Sequence, residues 1–170
     1  MNINGCPYEG LEAIIIDGNE VYLSVETTET SLNCYIVKGY LNDTSLIMNS
    51  SFLLPVPRFK NVDGSFIPNA GFESVVKVND FLFSFFEFNY FNSNNKVCVI
   101  DKYSFQVANC LHYLPMNKLP FRLTDITCIG SNHFTAINYF YKGDEDAVVY
   151  TPSLCYKHRT RSAMVDVAIK

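Results

Sequence analysis

The sequence has no tryptophan, no C-x-x-C pair, no H-E-x-x-H, no G-x-S-x-G and no glycine-rich phosphate loop. Each absence removes a class of chemistry. A zinc hydrolase needs two histidines one helical turn apart, and His112, His133 and His158 are far from one another. Nucleophilic catalysis by a strained serine elbow and phosphate capture by a P-loop have no carrier. Basic residues are few and scattered, 13 against 17 acids, so no field gathers nucleic acid. No apolar run approaches the ~18 residues of a membrane-crossing helix. Met1–Gly5 shows no basic segment leading into an apolar one, so no export signal is read there, although one could precede the first repeat. Helical periodicity is missing as well: no window carries an apolar stripe at i, i+3, i+4, i+7.

What the chain does have is β-forming side chains: 14 Phe and 11 Tyr in 170 residues, with 48% hydrophobic content. That is enough for one domain with a sizeable core. Short runs rich in Ile, Val, Phe and Tyr alternate with Asn, Asp, Gly, Ser and Pro. They predict strands at 11–16, 21–26, 34–41, 46–54, 72–78, 81–88, 96–101, 105–114, 123–129, 133–141, 147–151 and 163–169. Asp17-Gly18-Asn19 and Gly130-Ser131-Asn132 are hairpin turns, because these residues accept positive φ. Pro55, Pro57 and Pro68, then Pro115 and Pro120, mark segments between sheets, since proline cannot donate to a ladder. The six scattered cysteines read as buried free thiols in a reducing compartment, the alternative being a disulfide or metal role.

A repeat organises these strands. Gly10-Leu11-Glu12 opens an apolar run that closes, after a turn, on Glu26. Gly71-Phe72-Glu73 opens a second that closes on Glu87, with the same fourteen-residue spacing. A weaker copy starts at Asp125 and carries Tyr139 where the closing acid would stand. Twelve strands in three groups of four, each opening on an acid, predict an all-β fold: a β-propeller segment of three four-stranded antiparallel blades, the third incomplete. The blades span roughly residues 8–57, 69–115 and 121–170 of a single domain. A sandwich or barrel is the competing fold. Three blades do not close a ring, so further blades or associated copies would be needed to complete one.

With Asp17 and Val21 flanking a three-residue turn, Glu12 stands directly across from Glu26, and the same arithmetic pairs Glu73 with Glu87. Glu12, Glu73 and Asp125 then ring one mouth of a central channel. Crowded carboxylates repel, and a hard cation such as Ca²⁺ relieves them. The alternatives are that water screens the acids, or that they cap backbone N–H groups of the next blade. Glu26 and Glu87 are the candidate catalytic carboxylates, as ligand or general base. Arg159 and Arg161, in the one basic cluster, are candidate anion contacts or a solvated edge. Asp144-Glu145-Asp146 reads as a solvated turn and the Phe81–Phe91 run as packing between blades. Asn42-Asp43-Thr44 and Asn49-Ser50-Ser51 match the glycosylation sequon, which matters only in an exported chain.

Asn69-Ala70-Gly71-Phe72-Glu73-Ser74-Val75, followed by Phe83-Ser84-Phe85-Phe86-Glu87, resembles the strand openings of esterase-like phytase propellers. Tyr8-Glu9-Gly10-Leu11-Glu12-Ala13-Ile14 with Val21 to Glu26 is similar. Ser74 and Ala13 replace the family's glycine after the acid, and its D-D-P-A-[IV]-W motif is absent. Lactonase propellers offer a fainter likeness. The resemblance implies a six-bladed ring of which this chain supplies about half, Ca²⁺-assisted hydrolysis of a phosphoester or ester, and a family with exported members. The alternative is a non-catalytic propeller module that presents its loops to a protein partner. Neither nucleic acid nor membrane is expected as a partner.

Overall fold

The computed structural model describes residues 2–3, 6–60, 64–67, 69–87, 97–111, 122–130, 133–139 and 163–168. Among them there is no helix, and the chain is all-β in three antiparallel sheets. Sheet 1 joins β1 (Asn2–Ile3), β2 (Cys6–Asp17), β3 (Glu20–Thr27), β4 (Asn33–Leu41) and β5 (Leu46–Pro57) in sequence order. Sheet 2 joins β6 (Ser74–Val78), β7 (Phe81–Phe85), β8 (Val97–Asp101) and β9 (Gln106–Leu111). Sheet 3 joins β10 (Arg122–Gly130), β11 (His133–Tyr139) and β12 (Ala163–Ala168).

Two expectations need correction. Sheet 1 has a fifth strand, because β1 folds back on the start of β2. The last predicted strand pairs directly with β11 and so stands third in its sheet, not fourth. The strand expected at 147–151 lies outside the described residues, as do residues 88–91 of the aromatic run.

Alternating side chains dictate how the sheets stack. The face of sheet 1 with Ala13, Ile15, Tyr22, Cys34, Ile36 and Val56 meets the face of sheet 2 with Val75, Leu82, Cys98 and Ile100. Phe59, Phe72 and Phe86 close this core as a three-ring cluster, with centroids 5.4–5.9 Å apart. The other face of sheet 2, with Val76, Phe85 and Val97, packs on Leu123, Ile126, Phe134 and Ala136 of sheet 3. Sheet 2 is thus buried on both faces, and the first strands stand side by side, β6 against β2 and against β10.

Charge fastens the first of these seams at two ends, buried at one and partly solvated at the other. Arg58 bonds four carbonyl oxygens, those of Thr27, Thr28 (2.7 Å), Ile67 (3.1 Å) and Ala70 (2.8 Å), and so ties sheet 1 to the segment leading into sheet 2. At the hairpin end, Asp17 accepts from Lys77 (2.5 Å) and Lys102, and Glu20 pairs with Lys38 (2.5 Å) and Lys102 (2.9 Å). Cys98 is disulfide-bonded, which overturns the free-thiol expectation at that position; position 110, also a cysteine, faces it in the β8–β9 register. Cys34 and Cys128 are free thiols.

Candidate functional site

The hairpin register differs from the one the acid spacing suggested. Asp17 pairs with Glu20 across a two-residue turn whose Gly18 has φ +61°, so the ladder starts one residue out of the expected phase. A bulge between Leu11 and Ala13 then shifts it again, and Glu26 stands opposite Gly10. Glu12 is the extra residue of that bulge and has no partner of its own. A bulge re-aims a side chain. Here it swings the Glu12 carboxylate toward Glu26, whose strict cross-strand partner it is not.

Carboxylate oxygens of Glu12, Glu26 and Glu73 all lie within 4.8 Å of one another. Two come from sheet 1 and one from the residue just ahead of β6. Glycine makes this crowding sterically feasible. A Cβ on Gly10 would sit 2.1 Å from Glu12 Oε1, and one on Gly71 would sit 3.2 Å from the Glu26 carboxyl carbon. The glycine two residues before each acid therefore has a physical reason: it leaves the volume that the carboxylates occupy.

Glu26 is the buried member, 4% exposed, and its Oε1 has no hydrogen-bond partner among the described residues. Burial, then Glu12 and Glu9, push its carboxyl up to about 7, against the pull of Arg58 and Arg122. Burial, then Glu12 and Glu26, push Glu73 up to about 7 as well. Glu12 is raised by burial and by Glu9. These are the marks of negative charge crowded into a poorly solvated place.

The other predicted sites divide. Glu87 is 2% exposed, but its oxygens are taken: Arg122 donates to Oε2 at 2.8 Å and the Gly71 N–H to Oε1 at 3.2 Å. Burial raises its carboxyl to about 8 while Arg122 pulls it back. Glu73 and Glu87 do not face each other in a ladder, since β6 begins at Ser74, paired with Phe85. Asp125 is not in the three-acid group. A bulge between Leu123 and Asp125 sets it opposite Ile137, exposed, with Oδ1 accepting from the Ile126 N–H at 2.8 Å. Arg159 and Arg161 lie outside the described residues.

A groove of about 590 Å³ runs along the three first strands, lined by Glu12 and Ile14–Ile16 of β2, Val75–Lys77 of β6 and Thr124–Cys128 of β10. Glu12 and Asp125 thus border the same space from different sheets. Sequence reasoning missed Arg58 and Arg122. Each is a lone arginine at the end of a proline-bearing apolar stretch (Phe52–Pro57 before Arg58, Leu119-Pro120-Phe121 before Arg122), the one signal that could have marked them as seam residues. Compared with known proteins, the chain matches no family model, no curated protein and no solved structure.

Proposed function

We propose that this chain is a propeller segment whose channel mouth holds a divalent cation, best suited to Ca²⁺, on Glu12, Glu26 and Glu73. The cation serves hydrolysis of a phosphoester or ester lying in the adjoining groove. The observation that carries the reading is the meeting of three carboxylates from two sheets around an unpartnered, buried Glu26 oxygen. The propeller arrangement is supported by three consecutive meanders whose first strands stand side by side.

The residues fit such an ion. An all-oxygen, all-carboxylate donor set suits a hard cation, and Gly10 and Gly71 keep clear the space that their Cβ atoms would fill. When bound, a divalent cation polarises a phosphoryl or carbonyl oxygen and lowers the pKa of water. The chain supplies the rest. Glu12, Glu26 and Glu73 bind. Glu87, held by Arg122 and Gly71, positions the segment that carries Glu73 and is not a free base. Asp125, exposed on the β10 side of the groove and outside the ligand group, would take the part of proton acceptor in this reading.

A second reading draws on the apolar side of β2. Leu11, Ile14 and Ile16 are each more than half exposed, and both isoleucines line the groove. A non-catalytic module would use that wall to bind a partner. Thermal melting in millimolar Ca²⁺ or in chelator, together with turnover of a chromogenic phosphoester and ester, separates the readings. Ca²⁺ is expected to raise the Tm by linkage, about 2.7 kcal/mol at a hundredfold excess over Kd, and Glu73→Gln is expected to remove the rise. A melt that ignores Ca²⁺ refutes the cation site. A Ca²⁺-raised Tm without turnover favours the module.

A further inference from the structure

We propose that the β4–β5 hairpin is an N-glycosylation site, modified at both Asn42 and Asn49. Three independent observations converge on it. The first is a disulfide at Cys98, buried in the core between sheets 1 and 2. Disulfides form and persist where the surroundings are oxidising, and N-glycans are added to chains entering such a compartment. The sequons therefore stand in a chain that carries its own sign of export.

The second is their placement. Asn42-Asp43-Thr44 sits in the loop closed by the Leu41–Leu46 pair, and all three residues are exposed. Asn42 Oδ1 is saturated: it accepts from the Thr44 N–H (3.0 Å), the Ser45 N–H (2.8 Å), the Ser45 hydroxyl (3.0 Å) and the Thr44 hydroxyl (3.4 Å). Nδ2, the nitrogen that would be glycosylated, has no partner among the described residues. Asn49-Ser50-Ser51 lies in β5 where the register jumps from Met48, opposite Gly39, to Leu53, opposite Val37, so residues 49–52 bulge out of the ladder. Asn49 Oδ1 accepts from the Ser51 N–H at 2.9 Å, the same amide posture in outline.

The third is what surrounds them. β5 is the outer edge of sheet 1, and Leu46, Ile47, Met48 and Phe52 on it are 36–55% exposed. No charged residue occurs from Leu46 to Leu54. Edges are usually protected from pairing with other chains by charge, proline or a covering element. Two bulky, hydrated glycans flanking this stretch would do the same work. In the reaction, Nδ2 forms a bond to the anomeric carbon of an oligosaccharide. The bond from that carbon to a lipid pyrophosphate breaks, the pyrophosphate leaves with its carrier, and the amide proton passes to solvent.

The test uses the full chain, recovered from the medium of a eukaryotic secretory host behind an export leader. Intact mass is measured before and after peptide-N-glycosidase, with peptide mapping of Asn-to-Asp conversion. Two glycans are expected, with conversion at positions 42 and 49. Asn42→Gln and Asn49→Gln should each remove one step, and Thr44→Val should remove the first while keeping the asparagine. A secreted chain with Cys98 oxidised whose mass is that of bare polypeptide overturns the proposal. So does a chain retained inside the cell with Cys98 open to alkylation.

Discussion

Replacing Glu26 by glutamine keeps the shape of the side chain and removes its charge. In the folded chain that carboxyl sits near 7 because burial and the neighbouring Glu12 and Glu9 oppose its ionisation; unfolded, it returns to about 4.5. A raised carboxyl contributes most to stability while protonated, below about 4.5, and loses that contribution as pH rises through 7. A tenfold change in acidity is worth ~1.4 kcal/mol, so keeping this charge in the fold costs on the order of 3 kcal/mol at pH 8 and under about 1 at pH 5. Without divalent cation, Glu26→Gln should therefore be more stable than the parent at pH 8 by about that amount. For a chain of this size that is roughly 6–12 °C in Tm. The two should converge at pH 5. Urea melts at both pH values in chelator, repeated in Ca²⁺, make the measurement. Added Ca²⁺ should close the gap at pH 8 by raising the parent alone. A variant less stable than the parent at pH 8 in chelator would refute the reasoning, since Glu26 would then be a net structural asset as an anion.

Gly10→Ala places a methyl 2.1 Å from Glu12 Oε1, so that side chain must swing away; Ca²⁺ affinity should fall about tenfold, ~1.4 kcal/mol by calorimetry, with the fold retained. Arg58→Met leaves four carbonyls of the seam without their donor and should cost more than about 3 kcal/mol in urea unfolding. Asp17→Asn cuts the hairpin-end network, whose groups are partly solvated; about 1 kcal/mol or less should be lost, and the difference should shrink in ~1 M salt. In that network Glu20, though burial opposes its charge, is drawn down to about 2 by Lys38, Lys102 and Tyr22. Its contribution is present above about 4.5 and lost as pH falls toward 2. Combined with the raised carboxyls of Glu26 and Glu73, this predicts a chelator-treated Tm that peaks near pH 5 and declines on both sides.

The described strands were legible because their apolar residues are β-branched or aromatic and their turns hold Gly18 or Asn79, both at positive φ. The approximate meeting of Glu12 with Glu26 was legible too, though in the wrong register. A bulge adds a residue without leaving a mark in composition. The one at Glu12 added a second one-residue shift in the same direction as that of the two-residue turn and left Glu26 facing Gly10, whereas the one beside Thr124 set Asp125 facing Ile137, outside the acid group. Glu26 and Glu87 look equivalent in sequence. What separates them is Arg122, contributed by the start of another sheet, and no local pattern announces a partner so distant along the chain. Arg58 escaped for a related reason: its acceptors are backbone carbonyls, which every residue possesses.

Because Glu12 and Glu26 belong to one sheet and Glu73 to the approach of the next, the gap between those two sheets and the spread of the three oxygens are a single coordinate. The radius of whatever cation enters would be read out as a dihedral between layers, and prising the layers apart would be felt first as a loosened grip on the ion.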